Sequence, residues 1–408
     1  MPELTRDARA LFVTRSLRMF GYGAVAVVLV LFLAAVGMSD PQIGLLLSLT
    51  LAGDTVISLW LTTHADRLGR RRVLVAGAFL MAAAGLVFVV TREPVLLLVA
   101  ATIGVISPSG NEVGPFLAVE QAALTISIPG GRRTHVFAWY NLVGSLATAV
   151  GALSTGLLAQ GLQASGVAVI DSYRAILAVY AIVGLLLAAG FGRLSPAVEL
   201  DRSSATTVRS RLGLHRSRSV VLRLSVLFGL DAFAGGLVTQ SLIAYWFHLR
   251  WAVDPAVLGG IFFGTNILAA ISALSASRLA ARFGLIRTMV FTHLPSNVLL
   301  ILIPIMPNLP LAILMLLARS SISQMDVPTR QSYTMAVVEP DERAAAAGVT
   351  GIARTTGAAV SPLIAAPLVG VATLAAIPFY LSGALKIVYD IALYRRFRGV
   401  PPAEEIVE

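Results

Sequence analysis

The sequence predicts an all-α integral membrane protein of about twelve transmembrane helices in two pseudo-symmetric six-helix bundles, with both termini cytoplasmic. Three observations predict it. Of 408 residues, 57% are hydrophobic and only 13% charged, against about a quarter charged in a soluble domain. The apolar residues come in runs of helical membrane-crossing length, about 20 residues, without the alternation of a barrel strand. The basic residues fall on alternate loops.

Apolar runs between polar breaks place helices near 10–36, 42–63, 73–91, 95–126, 135–162, 172–191, 220–249, 256–276, 286–305, 310–335, 344–370 and 373–395. A bilayer offers the backbone no hydrogen-bond partners, so spanning segments must pair their own amides. Arg6, Arg9, Arg15 and Arg18 mark one side of the membrane. Arg67 and Arg70 to Arg72, Arg132 and Arg133, Arg278, Arg282 and Arg287, Arg343, and Arg395, Arg396 and Arg398 mark the same side. The opposite loops hold Arg92, Arg174 and Arg250, each near an acid. An excess of Arg on cytoplasmic loops then puts both termini inside.

The polar stretch 193–219 divides the chain into an N-terminal bundle, 1–192, and a C-terminal bundle, 220–408. It reads as a cytoplasmic linker, or as a partly helical segment on anionic headgroups. The halves repeat weakly. Leu17–Gly23 matches Leu230–Gly236, Arg67-Leu68-Gly69 matches Arg282-Phe283-Gly284, and Glu120-Gln121 with Arg133 matches Arg330-Gln331 with Arg343 at one offset. Parallel repeats of this kind are a transporter architecture, with the solute path between the halves.

Other classes lack their chemistry. The net charge of +10 sits in short bursts between apolar spans rather than on a nucleic-acid-binding face. There is no cysteine, and His64, His135, His215, His248 and His293 have no metal-ligand spacing, so no metal centre or cofactor is expected. No nucleotide phosphate loop or hydrolase motif occurs, and the one lysine is Lys386. The N-terminal apolar run lacks a cleavage pattern and reads as a retained first helix.

The loop after the second helix reads Thr62-Thr-His-Ala-Asp66-Arg67-Leu68-Gly69-Arg70-Arg71-Arg72. It resembles the signature loop of the Major Facilitator Superfamily, G-x-x-x-D-R-x-G-R-R-R, with Thr62 in place of the first Gly. The likeness extends over the chain through its length, helix count, midpoint linker and degenerate second copy. The resemblance implies a secondary transporter without enzymatic activity, with Asp66, Arg67, Gly69 and Arg70 forming a conformational latch and the central cavity lined by helices one, four, seven and ten. The fourth helix, which reads Gly104-Val-Ile-Ser-Pro108-Ser-Gly110-Asn111-Glu112-Val-Gly114-Pro115 in its middle, lacks the arginine typical of proton-driven antiporters. Acids open the segment Glu339-Pro340-Asp341-Glu342-Arg343, which reads as the cap of the eleventh helix.

Ionisable residues inside a span are costly and mark function by default. Here they are Arg18, Asp54, Glu112, Glu120, Asp231, Arg319, Asp326, Arg330, Arg354 and Lys386. Asp54, Asn111, Glu112, Asp231, Gln240, Arg319, Asp326 and Arg354 are the expected solute or coupling-ion residues; Asp54, Glu112 and Asp231 are the proton carriers to test. Asp326 and Arg330 stand at i and i+4 around Pro328, with Arg319 seven residues before, so one helix face would carry all three. Pro108, Gly110 and Pro115 are expected to break the fourth helix and Pro328 the tenth.

Matched positions of the repeat carry opposite charges: Arg18 against Asp231, and Glu120 against Arg330. These four form either an inner gate of ion pairs across the halves or, alternatively, the folding pairs Arg18–Glu120 and Asp231–Arg330 within each half. His293 and Asn297 could bond solute or join helices. Tyr245, Trp246 and Trp251 read first as interfacial anchors. The leading expectation is proton-coupled efflux of a small organic solute by a monomer in a bacterial-type inner membrane. The alternative is an uptake symporter or uniporter for an anionic metabolite, favoured by Arg18, Arg319, Arg330 and Arg354; a non-transporting receptor on the same fold is a third reading.

Overall fold

The computed structural model describes residues 5–127, 133–199, 214–339 and 342–399. Most of the expected linker, together with Arg132, Pro340 and Asp341 and the side chains of Asp66 and Arg133, lies outside the described residues. Among the described residues the regular structure is helical throughout. The helices are α1 (Arg6–Val36), α2 (Asp40–Leu68), α3 (Arg70–Val90), α4 (Pro94–Ile103), α5 (Phe116–Ser127), α6 (Arg133–Ala164) and α7 (Val169–Gly192). They continue as α8 (Arg218–Gly236), α9 (Gln240–Trp251), α10 (Pro255–Phe283), α11 (Leu285–Leu302), α12 (Leu309–Ser320), α13 (Asp326–Ala336), α14 (Arg343–Gly370) and α15 (Ile377–Phe397).

Nine described helical segments are long and apolar enough to cross a membrane, with Arg218–Trp251 counted as one. The other three expected spans fall short for visible reasons. The fourth is cut into α4 and α5, the tenth into α12 and α13, and the twelfth, α15, carries Lys386 and Asp390 in its middle and Arg395 and Arg396 at its end.

Breaks occur in three expected spans. The fourth opens at 104–115, where Gly110 and Gly114 take positive φ values of 71° and 81°, backbone that side-chain-bearing residues rarely adopt. The seventh, read from the sequence as continuous, opens at 237–239 after Gly235 and Gly236. The tenth opens at 321–325, and the expected role of Pro328 is corrected: it sits in the first turn of α13. A first-turn proline lacks an amide that would be unpaired there anyway, so it starts a helix rather than breaking one.

Two compact units emerge, residues 1–207 with 240–263 and residues 208–239 with 264–408. In the first, α1 packs along α6 and α3 along α7. Gly151 of α6 lies so close to the Phe20 backbone of α1 that a Cβ would collide with it, the small-residue approach by which membrane helices associate. Residues 240–263 pack here rather than with the rest of the C-terminal half: the Ser241 hydroxyl reaches the Ala26 and Pro108 carbonyls at 2.8 and 2.7 Å, and the Tyr245 hydroxyl donates to Asp40 at 3.0 Å. Tyr245 and Trp246 are thus buried, not interfacial. In the second unit α8 packs along α14 and α11 along α15, pairs that correspond under the repeat to those of the first.

Candidate functional site

In the first unit the charges of α1 and the broken fourth helix close on one another. Arg18 meets Glu120 of α5 through two parallel bonds of 2.6 and 2.7 Å, and its Nε donates to Glu112 at 2.8 Å. Arg15 takes the other Glu112 oxygen at 2.8 Å and donates to the Tyr140 carbonyl at 2.9 Å. The Tyr140 hydroxyl adds a 2.6 Å bond to Glu120. Two arginines face two glutamates, so this cluster is neutral. Arg18 and Glu120 are fully buried, and such pairs hold only when hydrogen bonds satisfy both partners. Arg15, not among the charges expected within the spans, joins the cluster because it lies one turn before Arg18 on α1 and reaches the same Glu112.

Asp54 of α2 accepts from the Gly114 amide at 2.6 Å and from Ser58 at 3.1 Å. It thereby satisfies backbone freed by the break, as do the Tyr22 hydroxyl on the Val113 carbonyl (3.1 Å) and the Tyr180 hydroxyl on the Val105 carbonyl. Asn111 is exposed within the same break, and its carbonyl accepts from Ser107 at 2.7 Å. Gln240 is the first residue of α9, in the first unit.

At the signature loop Gly69 turns the chain from α2 to α3 with φ 96°, and Gly284 does the same between α10 and α11 with φ 84°. Glu199 caps α3, accepting from the amides of Arg70 (2.7 Å) and Arg71 (3.2 Å); Arg67 is exposed at the end of α2. A parallel device exists in the second unit and corrects an expectation. Glu342 stands at the start of α14 but makes no side-chain cap there. Its carboxylate instead accepts from the amides of His215, Arg216 (2.8 Å) and Ser217 (2.8 Å), at the start of α8. The Ser217 side-chain hydrogen bond first, and these amide bonds after it, favour the ionised form and hold its pKa down to about 2.

The second unit gathers more charge than the first. Arg330 of α13 reaches Asp231 of α8 at 2.9 Å and Asp326 at 3.1 Å. Lys386 of α15 takes the other Asp231 oxygen at 2.6 Å. His293 of α11 meets Asp390 of α15 at 2.9 Å through Nδ1, and its Nε2 lies 4.0 Å from Asp231. Asn297 donates to the second Asp390 oxygen at 2.9 Å. Asp231, His293, Asp326, Arg330, Lys386 and Asp390 are all buried. Asp390 is not among the charges expected within the spans, and its i+4 spacing from Lys386 in the twelfth span is the sequence signal that points to it.

The break at 321–325 puts Arg319 on α12 and Asp326 and Arg330 on α13, so the seven-residue spacing does not run along one continuous helix. Among the described residues neither Arg319 nor Arg354 makes a hydrogen bond or ion pair, although both lie within Coulomb reach of Asp231 and Asp326. Arg319 stands ten residues into α12 and Arg354 eleven into α14. At 1.5 Å per residue each is about 15 Å from its helix start, near the middle of a hydrocarbon layer about 30 Å thick. The four residues expected at an inner gate thus have the same-half partners, Arg18 with Glu120 and Arg330 with Asp231.

The model of the Major Facilitator Superfamily matches residues 11–362. The chain is 34% identical to the uncharacterized membrane protein YJR124C of Saccharomyces cerevisiae, over 97% of this chain and 95% of the yeast protein. That relative lends no support to a bacterial-type inner membrane. Among solved structures, the nucleoside transporter NupG superposes with a TM-score of 0.75 at 13% identity, covering 97% of this chain and all of that one (100%). A D-xylose-proton symporter superposes with a TM-score of 0.71 at 15% identity, covering 97% and 98%. Likeness at these identities concerns the fold, which is the one that the breaks, the repeated helix pairs and the paired Gly69 and Gly284 turns describe. This multi-pass membrane protein therefore belongs to the Major Facilitator Superfamily, a family of secondary transporters and not of enzymes.

Proposed function

We propose that the solute is a small organic anion, moved by alternating access and bound in part by Arg319 and Arg354. The observation that carries this reading is the contrast among the arginines within the spans. Arg15, Arg18 and Arg330 each hold a carboxylate at 3.1 Å or less. Arg319 and Arg354, half-buried at mid-depth, hold none among the described residues. A guanidinium left without an acid in a low-dielectric site is destabilising, and its planar fork of donors matches carboxylate and phosphate oxygens. The same contrast favours the anionic metabolite over proton-coupled efflux of a small organic solute.

Purified protein in liposomes, offered mono- and dicarboxylates, organic phosphates, nucleosides, hexoses and lipophilic amines, tests it. Anions should be carried in preference to the neutral and cationic solutes. Arg319→Gln and Arg354→Gln should each slow anion transport by about 10- to 100-fold, the loss of one charge-assisted hydrogen bond of about 1.5–3 kcal/mol. Arg→Lys at either position should be milder. Preference for a neutral or cationic solute, or wild-type rates in both Gln variants, would overturn the reading.

A further inference from the structure

The charge network of the second unit contains one imidazole between two carboxylates, and its charge count is odd. Asp231, Asp326 and Asp390 face Arg330 and Lys386, which leaves one net negative charge when His293 is neutral and none when it is protonated. Each element packed around His293 contributes to that balance. Asp231 comes from α8, and Asp326 and Arg330 from α13. Lys386, Asp390 and the Tyr389 ring, edge-on to the imidazole at 6.0 Å, come from α15. Arg319 of α12 and Arg354 of α14 act on the same aspartates from further away.

The geometry suits an imidazole that gains and loses a proton. Asp390 is held by Asn297 on one oxygen and meets His293 Nδ1 with the other, an arrangement that orients the ring and fixes which nitrogen carries the first proton. Nε2 is then the position left to protonate, and it faces Asp231 Oδ1 at 4.0 Å. That oxygen is the one Lys386 holds at 2.6 Å, so an imidazolium and an ammonium compete for it. Arginine cannot take this role because it stays protonated.

We propose that His293, set between Asp390 and Asp231, is the proton-binding site of this transporter, with Asn297 orienting Asp390 and Lys386 holding Asp231. The consequence for coupling rests on the organic-anion reading above. Protonation adds a positive charge to the cluster that Arg319 and Arg354 sense, and so strengthens anion binding. Linkage is reciprocal, so a bound anion strengthens proton binding equally. Proton and anion then travel together, as a symporter carries them.

Two measurements test this separately from the anion reading. In a variant with His64, His135, His215 and His248 changed to Gln, none of which belongs to the cluster, His293 is the remaining histidine. Its ¹⁵N imidazole resonances in nanodiscs should change protonation state as pH is varied, and Asp390→Asn should move that transition. An imidazole fixed in one state throughout would overturn the proposal. In liposomes loaded with a pH dye, the pooled carboxylates and organic phosphates of the panel should acidify the lumen as they enter. His293→Gln should carry less than a tenth of the wild-type protons per anion. Anion entry without acidification in the wild-type protein would overturn the proposal while leaving the anion reading intact. With no anion entry the anion reading fails, and the resonance titration alone upholds or overturns the proton site.

Discussion

Glu120→Gln removes a charge that Arg18 meets at 2.6 and 2.7 Å and Tyr140 at 2.6 Å, with almost no change of shape. Taking one partner from a buried pair costs about 3–5 kcal/mol, because the other charge is left in a low dielectric. Glu112 remains 2.8 Å from the Arg18 Nε and offsets part of that, which puts the expected loss near about 3 kcal/mol. For a folding unit of this size each kcal/mol moves Tm by about 2–4 °C, so thermal unfolding in detergent should fall by roughly 6–12 °C. The double variant Arg18→Met/Glu120→Met removes both charges and keeps the volume, and should recover most of the loss, since apolar replacements of whole buried pairs are often neutral or better. A fall below about 2 °C for Glu120→Gln, or a double variant less stable than either single one, would refute the same-half pairing. Restoration of an Arg18→Glu protein by Asp231→Arg, and not by Glu120→Arg, would instead establish the inner gate across the halves.

Asp54→Ala leaves the Gly114 amide without its acceptor inside the broken helix, and should cost about 1–3 kcal/mol of stability, as an unsatisfied buried donor does; Asp54→Asn, which keeps an acceptor oxygen, should lose less in the same melt. Glu342 supplies the pH-dependent prediction. Its pKa in the fold is about 2 against an ordinary 4.5, so its capping of α8 is fully present above about pH 4.5 and is lost as pH falls toward 2. Melting curves should therefore show the protein destabilised by acid over that window, with the slope reduced in Glu342→Gln; equal slopes in the two proteins would show that the cap does not titrate.

Much of this molecule was legible one residue at a time. Solvation alone dictates the helices: runs such as Ala24–Leu33 have no polar group to offer water, and in lipid their amides must pair along the chain. The repeat was legible because local needs recur, a left-handed glycine at Gly69 and again at Gly284, and opposite charges at Arg18 and Asp231. The division of labour among the charges was not legible. Arg18, Arg319, Arg330 and Arg354 look alike in a sequence, and only packing decides that, among the described residues, two of them meet carboxylates while two do not.

The same limit explains the particular misses. Whether Pro328 breaks a helix or starts one depends on where the preceding turn opens, which Ser272 of α10 helps set by accepting from the Gln324 amide at 3.2 Å. Glu342 lies next to α14 in sequence but caps α8, because the fold brings the amides of residues 215–217 within hydrogen-bond reach of its carboxylate. Asp390 and His293 are 97 residues apart, and no local pattern joins them. Composition and periodicity, which act on neighbouring residues through the solvent, determined that this chain is a series of membrane helices in two repeated halves. The ion pairs, and with them the proposed sites for anion and proton, were decided by tertiary contact, because a charge in a low-dielectric interior is defined by what stands within a few ångströms of it.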